Sequence, residues 1–284
     1  MKSARSKNIK VSVIIPAFNE EKNIENTLKS LAKQSYKKLE TILVDDFSTD
    51  ETSSIAVQKS KKFNLDLKLL WPKKHGERGI ARNLGAKKAI GDYLLFIDAD
   101  MALSKDVIKE CCEEVKFNPQ IKAIIIPEET FGKGFWVECR KLEKRCYIGD
   151  DRIEAARFFE KNAFWKVGGW DEKMVSGEDW DLTTRFRNNY KLGRIKSSLL
   201  HNEDGLTLSR TFKKKFYYAS VSGIYLKKNP INLLTMIFFI FRPAYIRNWK
   251  LILSDPYHAM GMFILKGVEL IAGGLGFLYS NSKL

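Results

Sequence analysis

Cysteine is scarce in this chain: only Cys111, Cys112, Cys139 and Cys146 occur among its 284 residues. None of them forms a C-x-x-C pair, which argues against the common zinc-binding spacings and the disulfide frameworks of small secreted domains. We therefore expect free thiols and a protein that works in a reducing compartment.

Long apolar runs are also lacking. Residues 1–10 are basic and polar with no apolar centre, so they do not have the pattern of a signal peptide. No segment reaches the roughly 18 to 20 uninterrupted apolar residues that a simple membrane-spanning helix needs. The chain also has no internal repeat and no low-complexity linker. The absence of a signal-peptide pattern and of a spanning segment predicts a cytoplasmic protein.

Negative charge is in short supply, since 49 Lys and Arg residues stand against 34 Asp and Glu, a formal net charge of +15. Such an excess predicts a polyanionic neighbour: nucleic acid, an anionic membrane surface or a phosphorylated substrate. We do not expect nucleic acid as a partner, because the sequence has no recognisable reader motif. With 44% apolar and 29% charged residues, the composition is that of an ordinary globular protein.

Short apolar, β-branched runs alternate with helical patterns along the first half of the chain. This alternation, with short turns between, predicts an α/β fold with a doubly wound parallel sheet. The predicted strands cover residues 11–15, 41–44, 65–70, 93–97 and 121–126, and Pro16 ends the first of them. The predicted helices begin at Asn19 as a cap, after Asp50, at Glu77 and at Lys105, and the last three end near Lys62, Ala89 and Phe117.

Pairs of acidic residues follow two of the predicted strands. Asp45 and Asp46 end the second strand, and Asp98-Ala-Asp100 follows the strand at 93–97. In doubly wound sheets, ligands bind beyond the carboxyl ends of the strands. Carboxylates suit Mn²⁺ or Mg²⁺, with phosphate oxygens completing the coordination shell. The sequence therefore predicts a divalent cation and a phosphate-bearing ligand at this edge.

Six motif-like segments follow one another over about residues 10–205: VSVIIPAFNE (11–20), VDDFSTD (44–50), GIARNLG (79–85), DAD (98–100), FWKVGGWD (164–171) and GEDWD (177–181). In this order they resemble the motifs of the family 2 glycosyltransferases. Their ordered sum is far more specific than any one of them. The resemblance implies a GT-A fold: a doubly wound, mixed, mostly parallel sheet with helices on both faces. It also implies an inverting transferase that uses a nucleotide sugar.

The resemblance further implies which residues bind the nucleotide sugar. Glu20 would accept hydrogen bonds from the ribose, Asp46 would accept from the nucleobase, and Arg82 would face the phosphates. Two plainer interpretations stay open: Glu20 as an acid at a helix N-terminus, and Asp46 as a turn residue. The full implied set is Pro16, Ala17, Phe18, Glu20, Asp46, Arg82 and Asp98.

The catalytic and metal-binding residues are implied in the same way. Asp100 would bind Mn²⁺ or Mg²⁺, with Asp98 as its partner and His201 as a further candidate ligand. Asp179 would be the base that takes the proton of the acceptor hydroxyl, and Glu178 would orient the acceptor or the base. The alternatives are a structural histidine at position 201 and a helix cap at positions 178–179.

The C-terminal end of the chain is unusually apolar. Residues 233–241 are apolar apart from Thr235, and residues 259–279 are largely apolar but carry Lys266 and Glu269, which are spaced to pair on one helical face. These segments predict amphipathic helices that lie in the interface of an anionic membrane. A dimer interface between C-terminal helices, or a segment 259–279 that spans or re-enters the bilayer, are the alternatives.

These patterns predict three regions in the chain. Residues 1–10 form a basic tail, residues 11–205 form a GT-A domain, and residues 206–284 form a helical, membrane-associating region. Within the GT-A domain, the nucleotide-sugar half covers about residues 11–100 and the acceptor half about residues 101–205.

The predicted function is inverting transfer of a sugar from a UDP- or GDP-linked donor to a hydroxyl of a membrane-associated acceptor, such as a lipid-linked glycan. The protein would bind peripherally to the cytoplasmic face of the membrane. A neighbouring interpretation is transfer to a polyprenyl phosphate, an anionic acceptor that needs no base. A different one is a non-catalytic, nucleotide-binding membrane scaffold.

Overall fold

The computed structural model describes residues 9–76, 78–228 and 242–281, and it divides into two compact units. The first unit contains the chain up to Pro127, Ala155–Glu172 and Asp179–Leu200. The second unit contains Glu128–Glu154, Lys173–Glu178 and the chain from His201 onward. Residues 1–8 of the predicted tail, the predicted helix start at Glu77 and the predicted apolar segment 233–241 lie outside the described residues.

The described part of the chain forms ten strands. In chain order they are β1 (Val11–Ala17), β2 (Leu39–Asp45), β3 (Leu67–Leu70), β4 (Tyr93–Phe96), β5 (Met101–Leu103), β6 (Ile121–Ile125), β7 (Glu128–Phe131), β8 (Ala156–Glu160), β9 (Lys191–Arg194) and β10 (Leu199–Asn202). Seven strands make the main sheet in the order β3-β2-β1-β4-β8-β6-β9, and a small sheet has the order β5-β10-β7.

Strand directions in the main sheet confirm the predicted fold class. β1 runs parallel to β2 and β4, and β2 runs parallel to β3. β8 is antiparallel to both of its neighbours, β4 and β6, and β6 is parallel to β9. The sheet is therefore mixed and mostly parallel.

Twelve helices lie in the described ranges. They are α1 (Ile24–Ala32), α2 (Thr52–Phe63), α3 (Arg78–Lys88), α4 (Val107–Phe117), α5 (Phe135–Tyr147), α6 (Lys161–Lys166), α7 (Glu178–Asn189), α8 (Leu208–Ser220), α9 (Gly223–Lys228), α10 (Pro243–Arg247), α11 (Trp249–Ser254) and α12 (Pro256–Asn281). α5 and α8 to α12 belong to the second unit, and the other helices belong to the first, apart from Glu178.

β1 explains why the main sheet is covered on both faces. Its Val13 and Ile15 pack in one apolar cluster together with Leu28 of α1, whereas Ile14 packs in a second cluster with Ala81 of α3. Successive side chains of a strand point to opposite faces, so a strand covered on both sides needs a continuous apolar run. The sequence of β1 provides that run.

Two sequence predictions, one about the end of β1 and one about the start of α1, are wrong. Pro16 does not end the strand, which continues to Ala17 and keeps its pairing with β2. Its missing N–H falls beyond Ile14, the last residue that pairs with β4, so no hydrogen bond to β4 is lost. Asn19 does not cap α1, because the residue before the first turn is Asn23.

The second unit is built around α12, which packs against α5 and α8. Within the described residues, one helix, Pro256–Ser280, is long and apolar enough to cross a membrane by length and composition. The predicted pair of Lys266 and Glu269 is confirmed as an ion pair on this helix. The four cysteines are also free, as predicted, and all are buried.

Candidate active site

Three parallel strands bring their carboxyl ends to one edge of the main sheet. Ala17 of β1 is in register with Asp45 of β2, and Ile14 is in register with Phe96, the last residue of β4. The loops that follow these strands are therefore close together, and the N–H of Asp46 donates to the Ala17 carbonyl at 2.8 Å. Most of the predicted sugar-donor and metal residues lie in these three loops.

Asn19 joins the loop after β1 to the loop after β2. Its side-chain Oδ1 accepts from the N–H of Thr49 at 2.8 Å, and its own N–H donates to Ser48 Oγ at 2.9 Å. Its φ of +55° lies in the left-handed region, which asparagine tolerates better than most residues. Asn19 therefore shapes the rim of the site, a role that the helix-cap interpretation missed.

The carboxyl group of Glu20 lies in a negative environment just before α1. Its Oε2 accepts from Asn23 Nδ2 at 2.8 Å. Burial raises the pKa of Glu20, and the nearby charges of Asp100 and Asp98 raise it further, which together outweigh that hydrogen bond. The carboxyl groups of Glu20, Asp98 and Asp100 are therefore close enough to repel one another, and a bound cation would reduce that repulsion.

Asp46 forms a small polar cluster with the turn after β3. Its carboxylate accepts from the N–H of Gly76 at 3.2 Å, and its Oδ2 lies 3.0 Å from His75 Nδ1. The ring of His75 also lies 5.0 Å from the ring of Phe18, centroid to centroid. Burial raises the pKa of Asp46 despite the Gly76 and His75 contacts. Sequence reasoning found Asp46 and Phe18 but missed His75, which belongs to no motif.

Arg82 of α3 connects two predicted functional carboxylates. Its Nη2 lies 2.8 Å from Asp98 Oδ1 and its Nη1 lies 3.3 Å from Asp179 Oδ1. The guanidinium carbon also stacks over the Trp170 ring, 4.5 Å from the centroid, and the residue is only 1% exposed. The structure thus brings together Asp98 and Asp179, which are far apart in the sequence.

The position of Arg82 depends on close packing of α3. Gly85 faces β1 so closely that a Cβ there would lie 2.5 Å from Ile14 Cγ2. Asn83 Nδ2 donates to the Trp170 carbonyl at 2.9 Å, and the Trp170 N–H donates to Asn83 Oδ1 at 3.0 Å. These contacts hold both the helix and the ring on which the guanidinium of Arg82 stacks.

Arg157 of β8 is a second buried arginine at this site, and sequence reasoning missed it. Its Nη1 lies 3.6 Å from Asp98 Oδ2, and its Nη2 lies 3.8 Å from Asp179 Oδ2. Burial alone would raise the pKa of Asp98, but Arg82 and Arg157 outweigh it and hold that pKa well below its usual range. The available signal was a charged residue directly before the apolar pair Phe158-Phe159.

Glu178 and Asp179 are the first two residues of α7, so they lie in its first turn. Acidic side chains are favoured there by the helix dipole. Glu178 is buried and falls in the second unit, whereas Asp179 falls in the first. His201 lies half-buried on β10, also in the second unit.

The carboxylates of the first unit fit a cation that is bound together with a phosphate ligand. Among the described residues, no three His, Cys, Asp or Glu side chains are arranged as a ready-made metal site. Mg²⁺ and similar ions are often held by one or two carboxylates plus substrate phosphates, which needs no such cluster. Asp100 and Asp98 could supply those carboxylates, and the charges of both raise the pKa of nearby Glu20.

Comparison with known proteins agrees with this geometry. Residues 12–167 match the family model described as glycosyl transferase family 2. Poly(ribitol-phosphate) beta-N-acetylglucosaminyltransferase TarS of Staphylococcus aureus is 40% identical over 104 residues, which is 36% of this chain and 18% of TarS. A glycosyltransferase of Rickettsia conorii is 37% identical over 204 residues, 67% of this chain and 32% of the relative. The chain thus spans a third or less of the length of these two relatives.

Solved structures show the same fold. TarS 1–349 of S. aureus in complex with UDP-GlcNAc has a TM-score of 0.58 at 19% identity, covering 97% of this chain and 92% of that one. A mannosyltransferase from Pyrobaculum calidifontis in complex with GDP-Man and Mn²⁺ has a TM-score of 0.59 at 18% identity, covering 97% and 82%. These neighbours confirm the GT-A fold, and with the match of the family model over more than half of the chain, this protein belongs to glycosyl transferase family 2.

Proposed function

We propose that this protein transfers a sugar, with inversion, from a nucleoside-diphosphate sugar to a hydroxyl of a membrane-associated acceptor. The observation that carries the proposal is the double contact of Arg82, 2.8 Å from Asp98 and 3.3 Å from Asp179. One guanidinium thus bridges Asp98, the carboxylate predicted on the sugar-donor side, and Asp179, the predicted base. Substrates would react in the region where these two groups meet.

The nucleotide would bind along the edge where β1, β2 and β4 end. In this proposal, Pro16, Ala17 and Phe18 contact the base and ribose, and Asp46 accepts a hydrogen bond from the nucleobase. The His75–Phe18 ring contact supports an aromatic wall for the base at this position. Neighbours in complex with UDP-GlcNAc and with GDP-Man motivate UDP- and GDP-linked sugars as the first candidates.

Asp179 would act as the base. The acceptor hydroxyl loses its proton to the Asp179 carboxylate while its oxygen attacks the anomeric carbon. The bond from that carbon to the diphosphate oxygen breaks on the opposite side, and its electron pair leaves with the diphosphate. Glu178, the preceding residue of α7, would orient the acceptor or the base.

A divalent ion, Mn²⁺ or Mg²⁺, would be held chiefly by Asp100, with Asp98 as its partner and His201 as a third candidate. When bound, such an ion neutralises charge on the departing diphosphate. Glu20 would hold the ribose beside it. Burial is the main cause of the raised pKa of Glu20, and the charges of Asp100 and Asp98 add to it, which supports a cation between these carboxylates and a diphosphate.

The acceptor is proposed from the relatives and from the C-terminal region. Relatives are named for poly(ribitol-phosphate) and poly-beta-1,6-N-acetyl-D-glucosamine synthesis. These names favour a glycan or a related polymer as the acceptor, and the apolar C-terminal helix is the reason for proposing a lipid-linked one at the cytoplasmic face of a membrane. The proposal assigns transfer to residues 11–205 and membrane association to residues 206–284.

The test is sugar transfer from a panel of UDP-, GDP- and dTDP-sugars by the purified full chain. The reaction contains Mn²⁺ or Mg²⁺ and a membrane lipid extract, with Asp100→Ala and Asp179→Asn as variants. We expect release of one nucleoside diphosphate, at least about 100-fold slower in Asp179→Asn because a base is lost, and lost in Asp100→Ala. Metal-dependent binding of a nucleotide without turnover of any sugar would instead support a non-catalytic scaffold, and no binding at all would refute the proposal.

Transfer to a polyprenyl phosphate is the second candidate. The observation that favours it is the pairing of Asp179 with Arg82 and Arg157, which gives this carboxylate a structural role even without proton transfer. A phosphate acceptor is already an anion and needs no base. Unchanged turnover of Asp179→Asn with a polyprenyl phosphate acceptor would favour this reaction over transfer to a hydroxyl.

A further inference from the structure

α12 has one buried face and one exposed apolar face. Its buried side chains recur every three or four residues, as on one side of a helix: Ala259, Met262, Leu265, Glu269 and Ala272. Ten large apolar side chains of the same helix are exposed: Tyr257, Met260, Phe263, Ile264, Leu270, Ile271, Leu275, Phe277, Leu278 and Tyr279. We call these ten residues the apolar face of α12. Contiguous apolar patches of this kind mark binding surfaces in soluble proteins.

The buried face is packed closely against two other helices of the second unit. At Gly261, a Cβ would collide with Cys139 and Phe135 of α5, and at Gly276 it would collide with the Phe216 backbone of α8. Glycine at both positions lets α12 approach its neighbours along most of its length. The helix is therefore part of the folded second unit.

Charged side chains lock α12 to α5. Lys266 forms ion pairs with Glu143 and Glu269, and Arg140 Nη2 lies 2.7 Å from Glu269 Oε1. Lys266 and Glu269 are the only Lys, Arg, Asp or Glu residues of α12, and both point into this network. Tyr147 of α5 adds a hydrogen bond from its hydroxyl to Glu143 Oε1 at 2.5 Å. The buried face of α12 is thus mostly apolar, and its two charged side chains are both ion-paired with α5 or with each other.

These contacts argue against a membrane-spanning α12. If α12 crossed a bilayer in this packing, α5 and α8 would enter the hydrocarbon beside it. α5 exposes Arg145, and α8 exposes Lys213 and Lys214, and such charges are costly in the bilayer centre. A helix that lies along the bilayer surface avoids this cost, because only its apolar face enters the lipid.

The charge of the surrounding chain identifies the partner. Residues 206–284 contain eleven Lys and Arg but two Asp and Glu, so this region carries +9 of the net +15. A second copy of the chain would bring an equal positive charge against it, whereas anionic lipid headgroups would neutralise it. Trp249, the first residue of α11, is 53% exposed, with Lys250 Nζ 5.9 Å from its ring centroid. Tryptophan and lysine are characteristic residues of the membrane interface.

We propose that the apolar face of α12 is a binding surface for an anionic bilayer, with the helix lying parallel to the membrane plane and the basic side chains of the second unit at the headgroups. This inference rests on the membrane association proposed above for residues 206–284, but it concerns attachment only, so it does not depend on which sugar is transferred or whether Asp179 is a base.

Vesicle co-sedimentation of the full chain tests the proposal. The vesicles contain phosphatidylcholine alone, or phosphatidylcholine with about one third phosphatidylglycerol as the anionic lipid. We expect binding to the anionic vesicles only. The double variant Ile271→Glu/Leu278→Glu should lower that binding at least about tenfold, because two apolar side chains no longer enter the lipid.

Phe117→Glu is the matched control, since Phe117 is 82% exposed on α4 of the first unit and should not affect vesicle binding. Circular dichroism and thermal unfolding of each variant show that it is folded. Equal binding of the double variant and the parent chain would overturn the proposal, as would an absence of binding to anionic vesicles. Retention in reconstituted membranes after alkaline carbonate extraction would indicate a spanning helix and would also overturn it, as would a lipid-independent dimer that the double variant abolishes.

Discussion

Two buried arginines hold the carboxylates of Asp98 and Asp179 together at the centre of the candidate site. Arg82 and Arg157 each contact both of these groups, so two buried positive charges balance two partly exposed negative charges. Removing one partner from such a group leaves an uncompensated buried charge. In a site that receives a diphosphate, the arginines also offer the forked donors that suit phosphate oxygens.

The first prediction concerns Arg157. Replacing it with Gln removes a charge 3.6 Å from Asp98 and 3.8 Å from Asp179, so the position and the charge balance of the proposed base both change. We expect kcat to fall about 10- to 100-fold, as for loss of a group that orients a general base, with a smaller change in KM for the sugar donor. Steady-state kinetics over a pH series would measure both, and the pH profile of kcat should shift.

Arg157→Lys keeps the charge and should recover part of kcat, although lysine cannot contact two carboxylates as a planar fork. Arg152→Gln is the matched control, because the Arg152 side chain is 59% exposed and pairs with Asp150. A variant Arg157→Gln with normal kcat and an unchanged pH profile would show that Arg157 has no role in positioning Asp179.

Residues with a motif around them could be predicted from the sequence, and residues without one could not. Asp46 and Asp98 follow strands whose carboxyl ends meet, so their placement follows from the alternating pattern. His75 reaches the same site through tertiary packing, which leaves no local pattern, and the sign of Arg157 was a charge beside the apolar pair Phe158-Phe159. The sequence wrongly predicted Asn19 as a helix cap, because asparagine is common both in caps and at left-handed positions that bridge two loops.

At the scale of elements, α3 and β1 are packed as closely as their backbones allow. The second prediction is that Gly85→Ala destabilises the protein by about 1–3 kcal/mol, because overpacking forces a shift of a well-packed core. The new Cβ would lie 2.5 Å from Ile14 Cγ2 and 3.3 Å from Val44 Cγ2. Urea unfolding followed by tryptophan fluorescence would measure the change.

Gly267→Ala is the control for this substitution. Gly267 also lies within a helix, but a Cβ there would meet nothing within 4 Å. Alanine in a helix interior is favoured over glycine by up to about 1 kcal/mol. Equal stability of the Gly85→Ala variant and the parent chain would mean that α3 can move away from β1 at little cost.

The third prediction concerns the charged network between α5 and α12. Burial raises the pKa of Glu143, but Lys266 and Arg140 outweigh it, so the pKa in the folded protein is below the usual value. The pKa of Glu269 is lowered against the same burial by Lys215, Lys266 and Arg140. A lowered folded-state pKa contributes stability that is present above the unfolded value of about 4.3 and is lost as the pH falls below it. We therefore expect the second unit to lose stability between about pH 4.5 and pH 2.

Urea unfolding of the parent chain, Glu143→Gln and Glu138→Gln at a series of pH values would check this. Glu143→Gln should unfold at lower urea at neutral pH and should lose part of the dependence on acid pH. Glu138 lies on the same helix but its side chain is 43% exposed, so Glu138→Gln should keep the full dependence. Identical acid profiles for all three proteins would show that the network does not contribute to stability.

Elements of the main sheet were easier to predict than their directions. The apolar runs located β1, β2, β3, β4 and β6 to within a few residues. β8 lies outside the predicted strands, and its short run, which contains Arg157, gives no sign of an antiparallel direction. Only the resemblance to a GT-A fold implied that the sheet is mixed.

At the scale of the whole molecule, charge and chemistry are unevenly distributed along the chain. The predicted catalytic carboxylate Asp179 and the carboxylates of the strand ends belong to the first unit. The region from residue 206 onward carries +9 of the net +15. An excess of positive charge of this kind raises the local concentration of anionic partners but does not determine which sugar is transferred.

The last prediction follows from this distribution. Raising the salt concentration from about 0.05 M to about 0.5 M shortens the range of electrostatic attraction from more than 10 Å to less than 5 Å. We expect attachment to anionic vesicles to weaken at least about tenfold over this range, because several cations contribute at about 1 kcal/mol each at low salt. KM for the sugar donor should change much less, because Arg82 and Arg157 are buried and buried pairs are screened little.

Measuring vesicle binding and donor KM in the same salt series separates membrane attachment from donor binding. Attachment that is insensitive to salt would mean that the apolar face alone holds the protein on the membrane, whereas a parallel loss of both would place the exposed cations at the sugar-donor site.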